Sequence, residues 1–222
     1  MNNVALFIAH SFFISLATLL FARLGLLALT AFISLLFILA NLFVIKQITL
    51  FGYAATAADA FIIGISFGIN LLQEFWDKRT AQKTILISLA CAAFYTFASQ
   101  FHIWYIPSSQ DTSHIHFSQT LQFTWRLMGA SLVSYGITQL ADTLMYSYLK
   151  AKTHGRFFVL RNYISIGISQ ALDTLIFTYI GLYGLMSNLE EVMLTSYLIK
   201  ILAIALATPA LILAKKIVGK NH

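Results

Sequence analysis

Long apolar stretches fill this sequence, and short polar segments separate them. A helix needs about 20 mostly apolar residues to cross the ~30 Å hydrocarbon core of a bilayer. Seven such stretches are predicted: Val4–Ala22, Leu24–Ile45, Ala55–Phe75, Thr84–Phe101, Thr120–Tyr148, Phe158–Leu185 and Val192–Lys215. The connection between the first two, at Arg23, is very short, so six spans is the alternative. The pattern predicts an all-α, polytopic membrane bundle of six or seven transmembrane helices.

Composition assigns the whole chain to a single transmembrane domain, residues 1–222. Of the 222 residues, 59% are hydrophobic and 10% are charged, whereas soluble proteins are about 25% charged. No segment has the composition of a soluble catalytic domain, and the phosphate-loop pattern G-x-x-x-x-G-K-S/T does not occur. We therefore expect a protein that is not an enzyme and that binds no cofactor.

The basic residues alternate between connections, as expected if they mark the cytoplasmic side. They lie after the first, third, fifth and seventh predicted spans. The remaining three, Lys46, Arg126 and Lys200, fall at the ends of spans or within them. The cytoplasmic set is Arg23, Lys78, Arg79, Lys83, Lys150, Lys152, Arg156, Arg161, Lys215, Lys216 and Lys220. This predicts an outer N-terminus and an inner C-terminus for seven spans. The net charge of +6 is thus a topology signal, and we expect no nucleic-acid partner.

Two predicted spans carry the same polar pattern. Gly136–Leu144 (GITQLADTL) and Gly167–Leu175 (GISQALDTL) match with a shift of 31 residues. In seven-span topology these helices run in opposite directions, as in inverted-repeat transporters. A chance or packing similarity is the alternative.

Carboxylates inside these spans need a polar environment, because an acidic side chain at the bilayer centre costs at least ~2.5–3.5 kcal/mol. Spacing by three residues places Gln139 with Asp142, and Gln170 with Asp173, on one side of each helix. Basic side chains within reach as counter-ions are Arg126, Arg161 and Lys200. The cluster predicts a substrate site, and hydrogen-bonded helix contacts without a substrate are the alternative.

Polar residues near the ends of two earlier spans are further candidates. Glu74 is predicted at the inner end of the third span, either at a substrate gate or paired with Lys78 four residues on. Asp59 is interpreted as a solvated residue at the start of a helix. Lys46 can extend its ammonium to the interface, whereas Asn41 needs a polar partner inside the bundle.

Histidines give little indication of a metal site. His114 and His116 could chelate, but the polar segment around them offers no third fixed ligand. We therefore expect no bound metal.

The order of these residues resembles the YhhQ-type queuosine precursor transporters, also called the vitamin uptake transporter family. The likeness covers most of the chain. It begins with Ala40–Gly52 and with Asn70–Ala81, where Asn70 replaces the usual Asp and Asp77 stands where Gly is common. It continues through Arg126 with Ala130 and Ser131, Gln139 with Asp142, Arg161 with Asn162 and Ser165, Gln170 with Asp173 and Thr174, Tyr197 with Lys200, and Pro209.

The resemblance implies import of a 7-deazaguanine base, such as queuine or a pre-queuosine base, for salvage into tRNA modification. Such a base offers N–H donors and a carbonyl acceptor, which carboxylate and amide side chains can bind. Tyr135, Phe177 or Trp125 could stack on it. The expected substrate-binding residues are Asn41, Lys46, Glu74, Arg126, Gln139, Asp142, Arg161, Gln170, Asp173 and Lys200.

The expected protein is thus a multi-pass carrier in the bacterial inner membrane, with a small-molecule substrate and the lipid bilayer as partners. The sequence sets no oligomeric state. One alternative is the substrate-binding subunit of an energy-coupling-factor-like uptake system, which would need a separate ATP-driven module. Another is an integral membrane enzyme that uses Glu74 or the aspartates as acid/base groups.

Overall fold

A computed structural model describes residues 2–152 and 158–202 of the chain. Within these ranges, some side chains lie outside the description: those of Glu74, Lys78, Gln139, Leu140, Asp142, Thr143, Tyr146, Ser147, Leu149, Lys150, Ala151 and residues 158–163, 165 and 166.

Helices make up most of the described chain. In order, the elements are α1 (Asn3–Arg23), α2 (Leu26–Phe43), β1 (Gln47–Leu50), β2 (Tyr53–Thr56), α3 (Asp59–Phe75), α4 (Lys78–Trp104), α5 (His114–Leu121), α6 (Thr124–Lys152), α7 (Phe158–Phe177), a π-helical turn (Thr178–Leu182) and α8 (189–202). A helix lies within each of the seven predicted apolar stretches, which confirms the predicted helical membrane fold class. The short α5 lies in a segment that was predicted to be a polar loop.

Three of the described helices are long and apolar enough to cross a membrane by length and composition. They are α1, α2 and residues Arg79–Trp104 of α4. The apolar part of α3, Asp59–Gln73, is shorter. Large apolar side chains such as Ile8, Phe12 and Leu27 are exposed on α1 and α2. A lipid environment explains this exposure better than water does, because hydrocarbon tails solvate such side chains.

Two glycines let α3 pack closely against α1 and α2. A Cβ atom built on Gly64 would lie 2.3 Å from Ile14 Cγ2, and one on Gly68 would lie 2.9 Å from Ile33 Cδ1. Glycines four residues apart share one helix face, which allows the close backbone approach found in membrane helix pairs. The first four spans are thereby built around α3.

Paired hydroxyl groups join α2 to α4. Thr30 Oγ1 lies 3.0 Å from Thr84 Oγ1, and one turn further along Ser34 Oγ lies 3.1 Å from Ser88 Oγ. Such pairs satisfy polar groups that lipid cannot, and each contributes about 0.6 kcal/mol in membrane bundles. They fix the position of α2 along α4.

Helices α6 and α7 pack against each other in opposite directions. Arg126 near the start of α6 donates to the carbonyl of Ile180, which follows α7, at 2.8 Å. Further along, Ser134 Oγ donates to Asp173 Oδ1 at 2.6 Å. The antiparallel arrangement agrees with the orientation expected of the two similar segments.

A β-hairpin joins α2 to α3, and the pattern of apolar stretches does not predict it. Its strands pair from Gln47 with Thr56 to Leu50 with Tyr53. Phe51 and Gly52 have φ angles of 53° and 87°, and positive φ at both central positions belongs to the turn that best matches strand twist. The hairpin therefore forms because a glycine can adopt this backbone conformation.

The hairpin is attached to two helices. Asn3 Nδ2 at the start of α1 donates to the carbonyl of Thr49 at 3.3 Å. The N–H of Ala54 donates to Glu191 Oε2, in the first turn of α8, at 3.1 Å. The start of α1, the hairpin and the start of α8 thus lie at the same end of the bundle.

Asp77 follows α3 at its end away from the hairpin, and it caps the N-terminus of α4. Its Oδ1 accepts a hydrogen bond from the N–H of Thr80 at 2.5 Å. This hydrogen bond holds the pKa of the Asp77 carboxyl below its usual range. The residue that departs from the family pattern here has a local structural role, because Asp is a favoured helix N-cap.

Candidate functional site

A cavity of about 160 Å³ lies between the helices close to the hairpin. It is far larger than the roughly 10–15 Å³ that one water needs. Its lining combines apolar and polar groups from α2, α3, α6, α7 and α8: Phe37, Ala40, Asn41, Val44, Thr56, Ala58, Asp59, Ile62, Ser131, Tyr135, Asp173, Thr174, Phe177, Thr178, Leu182, Ser196 and Lys200. Polar side chains that surround an open space inside an apolar helix bundle are typical of a membrane substrate site.

An ion pair between α7 and α8 forms one wall of the cavity. Lys200 Nζ lies 2.6 Å from Asp173 Oδ2 and 3.1 Å from Thr174 Oγ1. Ser134 of α6 donates to the other carboxylate oxygen at 2.6 Å. The side chain of Lys200 is 9% exposed and that of Asp173 is 30% exposed, so the Asp173 side chain keeps part of its surface open although both of its oxygens are hydrogen-bonded. Lys200 is thus the counter-ion of Asp173, one of the pairings that charge considerations predicted.

Asp59 forms the wall beneath the hairpin. It is 3% exposed, and its Oδ2 accepts from the N–H of Thr56 at 3.2 Å and from Ser196 Oγ at 3.1 Å. The expected position at the start of a helix is correct, but the expected solvation is wrong. The hairpin and α8 cover this end of α3, and a sequence-local argument could not include that contact.

Asn41 has the polar partner that its position required. Its Oδ1 accepts from Ser131 Oγ of α6 at 3.2 Å, and its Nδ2 donates to the carbonyl of Phe37 at 2.9 Å. The amide lines the cavity on the α2 side. It can offer both a donor and an acceptor to a bound molecule.

Aromatic rings supply flat surfaces around these polar groups. Phe37, Tyr135 and Phe177 all line the cavity. Trp125, the other proposed stacking ring, instead packs edge-on against Phe97, with ring centroids 4.6 Å apart, on an exposed surface. The sequence named Tyr135 and Phe177 as candidates, and Phe37 was missed.

Three predicted site residues lie elsewhere. Lys46 is exposed at the base of the hairpin, and Gln170 is partly buried on α7 outside the described cavity lining. Arg126 was expected to be a counter-ion, but its guanidinium donates to the carbonyls of Ile180 at 2.8 Å and Tyr183 at 2.5 Å. It stabilises the end of the π-helical turn, where backbone carbonyls lack helical partners.

Four other predicted site residues have side chains outside the described part of the structure: Glu74, Gln139, Asp142 and Arg161. Their predicted roles stay predictions. The backbone of Asp142 lies eight residues beyond Ser134 on α6, or about 12 Å along the helix axis. Because Ser134 is hydrogen-bonded to Asp173, the backbones of Asp142 and Asp173 lie at different heights along the bundle axis.

Hydroxyl-bearing residues of the cavity were missed by the sequence analysis. They include Thr56, Ser131 and Ser196, and Ser134 contributes indirectly through its hydrogen bond to Asp173. Ser and Thr are frequent in membrane helices, so their presence alone distinguishes no site. Ser196 and Lys200 are four residues apart and share one face of α8, a spacing that the sequence does display.

Comparisons with known proteins agree with this architecture. Residues 56–214 match the family described as putative vitamin uptake transporters. The chain is also 28% identical over 149 residues to the probable queuosine precursor transporter of Bacillus subtilis strain 168. That alignment covers 67% of this chain and 65% of the relative, so the similar region spans just under two thirds of the relative's length. No solved structure matches.

Proposed function

The chain belongs to the vitamin uptake transporter family, and we propose that it imports a queuosine precursor, a 7-deazaguanine base, across the bacterial cytoplasmic membrane. The name of the Bacillus relative supports this substrate class. The membrane fold supports a carrier, since the described helices enclose a mostly apolar cavity that also contains charged and hydrogen-bonding side chains.

The observation that carries the proposal is the chemistry of the cavity wall. A guanine-like edge presents adjacent N–H donors and a carbonyl acceptor. Asp173, whose side chain is 30% exposed, provides carboxylate acceptors, and Asn41 on α2 provides an amide donor and acceptor. We assign the N–H groups of the base to Asp173 and its carbonyl to Asn41, because charge-assisted hydrogen bonds are the stronger ones.

Aromatic stacking would hold the ring system between these polar contacts. Phe37, Tyr135 and Phe177 line the cavity from α2, α6 and α7. A base stacked on an aromatic side chain gains about 1–3 kcal/mol in nucleic-acid sites. The combination of flat apolar surfaces and two polar ends favours a planar heterocycle over a sugar or an amino acid.

Topology gives the direction of access. The start of α1, the hairpin and the start of α8 lie at one end of the bundle, whereas Arg23, Arg79 and Lys83 lie at the other. We assign the hairpin end to the outside because cytoplasmic connections are enriched in basic residues. The cavity lies on the hairpin side and would thus receive substrate from outside, with seven spans in the membrane.

A binding assay tests the substrate class. The purified protein should bind queuine or a pre-queuosine base more tightly than guanine, and Asp173→Asn should weaken binding at least tenfold. Asp111→Asn is the matched control, since Asp111 lies in an exposed loop and caps the segment around Ser113. Equal binding by the wild type and Asp173→Asn would contradict the assignment.

Reconstitution separates the rival functions. Uptake of labelled base into liposomes by the purified chain without ATP supports a self-sufficient carrier, and recovery of the base unchanged excludes modification. Binding without uptake would instead indicate a subunit that needs an energising partner. Recovery of a chemically altered base would indicate an enzyme.

A further inference from the structure

The cavity brings two carboxylates together with one ammonium group. Among the side chains that the structure describes, Asp59, Asp173 and Lys200 are its charged lining residues. Lys200 is hydrogen-bonded to Asp173 at 2.6 Å, and Ser196, one turn before Lys200 on α8, is hydrogen-bonded to Asp59 at 3.1 Å. One ammonium can compensate only one of two ionised carboxylates, so this trio would carry a net negative charge with both aspartates ionised.

Asp59 is the member of the trio without a direct ion pair. Both of its hydrogen-bond donors at Oδ2, the N–H of Thr56 and the hydroxyl of Ser196, are neutral. The residue is 3% exposed, and a buried ion without an opposite charge is strongly disfavoured. Proton binding to the Asp59 carboxylate removes that charge and leaves Lys200 paired with Asp173.

The surrounding elements supply no second cation to the cavity within the described part of the chain. Other titratable groups on them include His10 of α1, Tyr135 of α6, Tyr197 of α8, and Lys46, Tyr53 and Glu191 around the hairpin. Arg126 of α6 is bonded to the carbonyls of Ile180 and Tyr183 and does not line the cavity. His10 packs edge-on against the Phe61 ring at 5.0 Å, and Lys46 is exposed. Glu191 is an acid, and tyrosine is neutral in its protonated form.

We propose that Asp59 is the proton-binding site of a proton-coupled carrier. The proposal rests on the proposed function. While the cavity faces outward, one proton from the outer solution binds to the Asp59 carboxylate, and the 7-deazaguanine ring of the base binds between Asn41 and Asp173. Asp59, Asp173 and Lys200 together then have no net charge. This neutral state favours the change from an outward-facing to an inward-facing cavity, because no uncompensated charge lies within the apolar bundle. When the cavity opens inward, the same proton leaves Asp59 for the cytoplasm with the base.

The position of Asp59 suits this role. It lies near the hairpin end of α3, while Ser196 connects it to the α8 face that carries Lys200. A shift of α8 would therefore change the surroundings of Asp59 and of the Lys200 pair together. Alternating access of this kind moves one helix group against another around a fixed site.

Proteoliposomes with the full chain test the coupling. An inward-directed proton gradient should drive labelled base several-fold above its equilibrium level, and a proton ionophore should abolish this accumulation. Asp59→Asn, which mimics the protonated carboxyl, should lose gradient-driven accumulation, and its exchange of external for internal base should no longer respond to the proton gradient. Glu190→Gln is the control, since Glu190 is an exposed acid at the start of α8.

The outcomes separate this proposal from the proposed function. Wild-type exchange of base that does not respond to the proton gradient would overturn proton coupling and leave the carrier function intact. Undiminished accumulation by Asp59→Asn would overturn the assignment of Asp59. Absence of both binding and exchange in the wild type would overturn both proposals.

A measurement on the wild type alone covers the case in which Asp59→Asn fails to fold. Adding base to proteoliposomes in weakly buffered medium should raise the external pH, because each imported base removes one proton from outside. Uptake without such a change would contradict the proposal.

Discussion

Lys200 of α8 and Asp173 of α7 are joined by a 2.6 Å hydrogen-bonded ion pair in the cavity wall. The pair connects α7 to α8 at the depth where the proposed substrate would bind. Ser134 and Thr174 complete the hydrogen bonds of the two charged groups. The pair is thus both a structural link and the proposed anchor for a polar ligand.

Removing one partner should destabilise the protein more than removing both. Lys200→Met leaves Asp173 without its cation, and we expect a loss of about 2–4 kcal/mol in the free energy of unfolding, because an uncompensated buried charge remains. Thermal unfolding in detergent measures this. The double variant Lys200→Met with Asp173→Asn should recover at least half of the loss. A double variant less stable than the single one would contradict this account.

Asn41 should contribute to substrate affinity through one or two neutral hydrogen bonds. Such bonds are worth about 0.5–1.5 kcal/mol each, so Asn41→Ala should weaken binding of the base roughly two- to tenfold. Equilibrium binding to the purified protein measures the change. Asn188→Ala is the control, since Asn188 is exposed after the π-helical turn. An equal loss in both variants would argue against a contact with the base.

Gly64 should tolerate no larger residue, whereas Gly136 should accept one. A Cβ atom at Gly64 would meet Ile14 Cγ2 at 2.3 Å, but nothing lies within 4 Å of one at Gly136. We expect Gly64→Ala to cost about 1–3 kcal/mol because the helices must separate. Gly136→Ala should be neutral or stabilising, since Ala favours helix over Gly. Thermal unfolding of both variants checks this, and similar melting temperatures would contradict it.

Asp77 should support α4 over most of the accessible pH range. Its pKa is lowered by the hydrogen bond from the Thr80 N–H, so its stabilising effect is present above the usual aspartate pKa of about 3.9. The effect is lost only as the pH falls through the lower, folded-state pKa. The melting temperature of Asp77→Ala should therefore lie below that of wild type by a constant amount from about pH 8 to pH 5. A gap that closes within this range would contradict the capping role.

Most of the helical architecture could be predicted because lipid imposes a length and a polarity on each span. The apolar stretches predict the helices that pack around α3. The alternating charges predict that α6 and α7 run in opposite directions. The hairpin could not be predicted, since its strands are short and partly overlap apolar segments. Its turn depends on positive φ at Phe51 and Gly52, for which the sequence offers one glycine as a signal.

Site residues could be predicted only where placing a polar side chain within a membrane helix has a free-energy cost that requires a polar partner or a substrate. Asp173, Lys200 and Asn41 satisfy that condition, and all three line the cavity. Asp59 was misinterpreted because its burial comes from the distant Ser196 and from the hairpin. Arg126 was misplaced because its partners are backbone carbonyls, which side-chain charge considerations do not include.

The attachment of the hairpin limits how this end of the bundle can open. A loop joined only to its neighbours could swing aside by itself, but this one is bonded to Asn3 on one side and to Glu191 on the other. Lifting it must either break both hydrogen bonds or carry the beginnings of α1 and α8 along. The start of α1, the hairpin and the start of α8 are therefore coupled, and opening of this end of the bundle requires the three elements to move together.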